Sequence, residues 1–257
     1  MDAATQRRRI WVAEARGGEL RGLSSARTRE ETVDHLLCAL ERSSDTLVGL
    51  DFAFAFPAWW AHLHGAGDGP GVWELAAERG ESWLSRCTPP FWGRPGCPRP
   101  QPDGGRSQWR RTERELAALG LRPKSTFQVG GAGSVGTGSI RGMPHLRRLR
   151  AAGVAVWPFD AWSPGRGLPV AVEVYPRWCT GAVVKSRAWA RTAHLSAVHP
   201  SLPAPLAALA AASEDAFDAA CTALCLSTGR PPAIALDAVD LVEGRVLPPP
   251  EVPVPGL

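Results

Sequence analysis

The run TLVGLDFAFAFP, residues 46–57, constrains the fold more than any other stretch. It is apolar at both odd and even positions, so as a strand it needs cover on both faces. That places it in a parallel position with helices above and below, not on a sheet with one wet face. Asp51 interrupts the run with no basic residue beside it in sequence. An isolated buried carboxylate is costly, so Asp51 calls for a proton, a partner or a cation. The plain alternative is a strand-end residue bonded to backbone amides.

The flanking patterns supply the helices. In TREETVDHLLCALER, Val33, Leu36, Leu37 and Leu40 recur at i, i+3, i+4 and i+7, one face of a helix. Thr28 and Glu31 form a capping box at its start, and residues 43–45 end it. Upstream, RRIWVAEA and ELRGLS predict two strands joined at Arg16-Gly17-Gly18. Residues 57–106 predict an irregular Trp- and Pro-rich insertion with one helix over 72–86. SQWRRTERELAALG follows as a helix closed by Gly120. STFQV and VAVWPFD predict strands on either side of the glycine-rich GGAGSVGTGSIRG and a helix PHLRRLRAAG starting near Pro144. LPVAVEVYP predicts another strand, and LVEGRVLPPP a last short one. SRAWARTAHLSAV, PLAALAAA and SEDAFDAACTALCLSTG read as helices. Strands that alternate with helices after an initial hairpin predict an α/β fold with a mixed sheet. With 257 residues, 44% of them hydrophobic, residues 1–257 are expected to form one domain with a single sizeable core.

Charge and cysteine usage narrow the setting. The formal charge is +4, and Lys124 and Lys185 are the only lysines. This suits a polyanionic partner without requiring one. The six cysteines form no C-x-x-C pair and no disulfide framework, which fits a reduced, cytoplasmic setting. RRRIWVAEA lacks the apolar core of a leader, and LPAPLAALAAA is too short and Pro-broken to span a bilayer, so no membrane partner is expected. Nothing in the sequence sets an oligomeric state.

Further acids share the setting of Asp51. Glu173 lies between Val172 and Val174, and Asp215 and Asp218 are three apart in EDAFDAACTAL. Converging carboxylates repel unless a divalent cation joins them, and Mg²⁺ takes oxygen ligands of this kind. Each acid also has an ordinary reading. Glu173 could bridge to an arginine such as Arg177. Asp215 suits the positive end of a helix. Glu31 suits a cap.

GLDFAFAFPAWW, TPPFWGRPG, STFQVGGAGSVGTGSIRGMPHL, VWPFD, EVYPRWCTGAVVKS, EDAFDAACTAL and EGRVLPP together resemble the domain-of-unknown-function 429 family of predicted RNase H-like nucleases. The likeness covers nearly the whole chain, with the motifs in family order. It implies an RNase H-like mixed sheet flanked by helices. It also implies a nucleic-acid phosphodiesterase that uses Mg²⁺ or Mn²⁺ held by clustered carboxylates. Residue by residue, it implies Asp51 as the central-strand ligand and Asp215 or Asp218 as the late-helix ligand. Glu31 and Glu173 are further catalytic candidates. The first-strand aspartate matches Asp2, which would leave the chain without the strand in front of it.

Other features admit competing functions. Gly131, Gly133 and Gly136 satisfy G-x-G-x-x-G, so the loop 130–138 could serve a nucleotide-binding enzyme. A helix starting only near Pro144 argues against a dinucleotide, and Gly131 and Gly133 then suit a phosphate-bearing substrate. Among the basic runs, Lys185 and Arg187 follow EVYP closely and are the substrate-binding candidates. The insertion tryptophans could stack bases, but core packing is the commoner use. His62 and His64 lack a third ligand nearby and predict no zinc site. A catalytically silent binding module of the same fold is the remaining alternative.

Overall fold

The computed structural model describes residues 2–41, 45–101, 104–162, 167–229 and 231–250. Its contacts divide the chain into two compact units. A terminal unit combines Met1–Ala39, Val174–Ala233 and Leu247–Leu257, and an inner unit combines Leu40–Glu173 with Ile234–Val246.

The terminal unit opens with helix α1 (Ala3–Arg9), then strands β1 (Val12–Arg16) and β2 (Glu19–Ser24). The strands pair antiparallel, with Arg16 opposite Glu19. Gly17 and Gly18 have φ of 57° and 80°, the left-handed pair that a tight hairpin turn demands. The hairpin is where the sequence puts it, although the expected first strand begins later because Arg7–Arg9 belong to α1. Helix α2 (Arg29–Leu40) carries the expected capping box: the Thr28 amide donates to Glu31 Oε2 at 2.8 Å, and the Glu31 amide to Thr28 Oγ1 at 3.3 Å. Of the expected stop at 43–45, residues 43 and 44 lie outside the described residues.

The inner unit contains β3 (Leu47–Leu50), α3 (Ala58–Leu63), α4 (Gly69–Arg86), α5 (Arg111–Ala118), α6 (Gly136–Ala151), β4 (Ala155–Val156) and β5 (Val170–Glu173). Its three strands form a parallel sheet in the order β3-β5-β4, with every residue of β5 buried. Leu50 pairs with Glu173 at the carboxyl ends of their strands. The apolar run leaves the sheet at Asp51, sooner than expected. Ala53 to Pro57 are buried but irregular. Side chains satisfy their backbone: the Ala53 amide donates to Ser139 Oγ, the Phe54 amide to Glu173 Oε2, and Trp73 Nε1 donates to Phe54 O. A buried segment whose polar groups are met this way needs no strand neighbour.

The insertion is an aromatic core. Phe56 stacks on Phe127 at 5.4 Å, and Trp60 meets Trp83 edge-on at 4.9 Å. Trp60 and Trp73 are almost wholly buried, so they pack rather than present their faces. Helices α4 and α6 cross closely at Gly80, where a Cβ would fall 2.7 Å from Ile140 Cγ2.

Three expected strands are reduced. STFQV is a turn with one bridge, Trp92 to Gln128, because Ser125 Oγ accepts from the Phe127 amide and bends the chain. VAVWPFD keeps two strand residues, since Asp160 accepts from the Val156 amide and folds the segment back. LVEGRV becomes a short helix α11 (Asp240–Glu243) and one bridge from Glu173 to Val246. Asp237 starts that helix by accepting from the Val239 and Asp240 amides.

The terminal unit closes with α7 (Pro176–Thr180), α8 (Ala188–Val198), α9 (Ala204–Ala211) and α10 (Glu214–Ser227). Its core gathers Ala216, Phe217, Ala220, Cys221 and Leu224 of α10 against Leu20 and Leu23 of β2, Leu195 of α8 and Ala210 of α9. No helix among the described residues is long and apolar enough to cross a membrane.

Candidate functional site

Helix α10 places two of the expected acids. Ser213 Oγ accepts from the Ala216 amide at 3.0 Å and caps the helix start. The apolar face fixes the helix rotation, which sets Asp215 and Asp218 side by side at its edge. Asp215 remains solvent-exposed in the first turn, where the helix dipole favours its charge. Even so, desolvation holds its carboxyl above the ordinary 3.8, against the pull of Arg9.

Asp218 is different. Its side chain is 17% exposed, and Lys185 Nζ lies 2.5 Å from Oδ2. Oδ1 is buried and has no hydrogen-bond partner. Burial raises its carboxyl above 3.8, and Lys185 only partly opposes that. A buried carboxylate oxygen without a donor is a place for a proton or a cation. Lys185 itself is half-buried on this acid, while Arg187 is exposed just before α8. Of the two expected substrate-binding cations, only Arg187 therefore faces solvent fully.

The other expected residues are placed elsewhere. Asp2 caps α1, accepting from the Thr5 amide at 2.8 Å and Thr5 Oγ1 at 3.2 Å, so it starts a helix where a strand end was expected. Glu31 serves its capping box and pairs with Arg7 at 2.5 Å. Asp51 belongs to the inner unit. It follows the last residue of β3 and is exposed, against the expectation of a buried acid.

Glu173 is buried, and its partner is Arg110 rather than Arg177. Arg110 NH1 donates to Glu173 Oε2 at 2.8 Å, and NH2 to Oε1 at 2.5 Å. Arg177 instead donates to the carbonyls of Gly181 and Val183. Arg110 is 1% exposed and also donates through Nε to Glu113 Oε1 at 2.8 Å and through NH1 to Glu243 O at 2.9 Å. Burial disfavours its charge, but Glu113 and Glu173 reverse that and raise the guanidinium above its ordinary value. Burial also raises the Glu113 carboxyl, with Arg110 opposing. The Glu243 carboxylate accepts from the Ala58 and Arg111 amides. This satisfied network ties β5, α5 and α11 together.

The glycine-rich loop departs from expectation in both directions. Helix α6 opens at Gly136, not near Pro144, which sits inside it. A Cβ on Gly136 would meet Thr126 O at 2.3 Å, so close packing explains that glycine. The strand that a dinucleotide fingerprint needs before the loop is a turn instead. Gly131 and Gly133 are exposed with φ of 80° and 68°.

Sequence reasoning missed a second polar cluster in the terminal unit. His194, His199 and Cys221 each bring one donor atom within 4.8 Å of the others. The signal was an H-x₄-H spacing, which falls within the H-x₃₋₅-H range of metal sites. Its third member comes from another helix. Compared with known proteins, the chain matches no family model, no curated protein and no solved structure.

Proposed function

We propose that the chain is a divalent-cation-dependent nuclease of RNase H-like type. Asp215 and Asp218 would hold Mg²⁺ or Mn²⁺, and the substrate would be a nucleic-acid phosphodiester. The observation that carries this is the buried, unpartnered Oδ1 of Asp218 with a second carboxylate one turn earlier. A divalent ion supplies the missing electrostatic partner there, and when bound it polarises water and stabilises a leaving oxygen. The chain's own groups do the rest. Lys185 fixes Asp218 in one orientation through Oδ2, and Arg187 offers an exposed charge to a phosphate. In the other unit, Asp51 stands at the carboxyl end of β3, the edge where parallel sheets place ligand-binding groups. Within each unit, the strands form an antiparallel pair in one and a parallel trio in the other, a mixed α/β content that suits the reading.

A silent binding module of the same fold is the second reading. It is favoured because Asp2, Glu31 and Glu173 are each engaged in a cap or an ion pair.

Calorimetric titration with Mn²⁺ of the chain and of Asp218→Asn separates the two. Saturable binding that disappears in the variant, followed by Mn²⁺-dependent cleavage of an oligonucleotide, is the expected result. No Mn²⁺ binding by the folded chain removes the nuclease reading and leaves the silent module.

A further inference from the structure

Helix α8 ends at Val198, and His199 is its C-cap, with φ of −126° and ψ of 58°. In an unbroken helix, residues five apart point well away from each other. The break at the cap swings the His199 ring back, to 6.4 Å between centroids from that of His194. Cys221 of α10, 1% exposed, closes the group. The His199 amide already donates to Leu195 O, so the turn that makes the pair is itself held.

His194 Nε2 is buried and has no hydrogen bond. Burial lowers both imidazoles from their ordinary 6.5, which keeps them in the neutral form that binds metals. One donor from each residue lies within 4.8 Å of the others. Bond lengths of about 2.0–2.3 Å in a tetrahedral zinc site put donor atoms roughly 3.4–3.6 Å apart. Side-chain rotations that move the donors by about an ångström close that difference.

We propose that His194, His199 and Cys221 bind a borderline-soft divalent transition metal of the Zn²⁺ class, leaving one coordination position for water or a further ligand. Two imidazoles and a thiolate suit such an ion and not the hard, oxygen-seeking Mg²⁺. The site therefore goes beyond the carboxylate cations of the proposed nuclease. Binding forms the metal–Sγ bond while the Cys221 proton leaves to solvent, with no change of oxidation state. Burial, then the Asp218 charge, pushes the free thiol up to about 12, so the apo site holds it protonated and metal uptake releases that proton. A filled site would pin the end of α8 to the middle of α10.

The test is titration of the full chain with Co²⁺, a coloured stand-in for Zn²⁺. The expected result is a thiolate-to-cobalt charge-transfer band that saturates at one equivalent, with the visible bands of tetrahedral cobalt, both bleached by Zn²⁺. Cys221→Ser should lose the charge-transfer band. His199→Asn should weaken binding while circular dichroism shows an intact fold. Asp215→Asn, at the other proposed site, should keep the cobalt spectrum, so failure of the carboxylate reading and failure of this site are seen separately. Absence of a charge-transfer band in the wild-type chain overturns the proposal. So does a band that survives in Cys221→Ser or is unchanged in His199→Asn.

Discussion

Glu173 and Asp218 are both acids carried into apolar surroundings, one in each unit, and they are met in opposite ways. Glu173 has Arg110 on both oxygens and a backbone amide besides. Asp218 has Lys185 on one oxygen and nothing on the other. Two carboxylates in similar sequence settings therefore differ in whether their hydrogen bonding is complete. The complete one has become architecture. The incomplete one keeps a capacity to take up a proton or a cation.

That contrast breaks most visibly at Arg110. Arg110→Met leaves Glu113 and Glu173 buried without their shared cation, and such a loss typically costs about 3–5 kcal/mol. Urea unfolding should show it as a lower midpoint that Mn²⁺ does not restore. A cost below about 1 kcal/mol would mean that the network is not what holds these elements.

Lys185→Met tests the other side. It strips Asp218 of its partner, at an expected cost of about 1–3 kcal/mol for a polar group left unpaired. Here Mn²⁺ should restore much of the loss in a thermal melt, because a cation can replace the ammonium. Equal responses to Mn²⁺ in the two variants would erase the distinction between the acids.

The smallest effect is expected at Asp215, which is exposed. Its folded carboxyl binds a proton more tightly than the ordinary 3.8 allows. The resulting stability is fully present below 3.8 and is lost as pH rises through the folded value. Asp215→Asn should therefore raise the melting temperature slightly at neutral pH and flatten its rise on acidification. A melting curve series unchanged by the substitution would count against desolvation as the cause.

Local chemistry was legible in the sequence where it is self-contained. Gly17 and Gly18 announce a hairpin because few other residues accept their backbone angles. Thr28 and Glu31 announce a helix start because each satisfies the other. The mixed α/β character follows from alternating patterns, and α4 and α10 fall on the stretches expected to be helical. What failed depends on distant partners. Asp51 looked buried because its neighbours are apolar, but the chain leaves the sheet one residue earlier. Glu173 looked nearest to Arg177, yet its cation lies 63 positions away in sequence. Ser125 and Asp237 turned expected strands into a bend and a helical turn through side-chain bonds that apolar patterning does not register. For the α10 site, the acids themselves were legible. The pairing of Lys185 with one oxygen only was not, because it needs the packing of separate elements.

The order in which the chain visits its two units has a consequence for synthesis. Leu20 and Leu23 pack in one core with Phe217 and Leu224, so the inner segment Leu40–Glu173 lies in sequence between the halves of that core. The hairpin cannot find its helix until the inner unit between them has been made. The inner sheet, held within Leu40–Glu173, is available much sooner. On the ribosome the exposed apolar face of the hairpin must wait, and long-range closure of this kind is slow. The terminal unit, with the acids of α10, is thus the last part to mature.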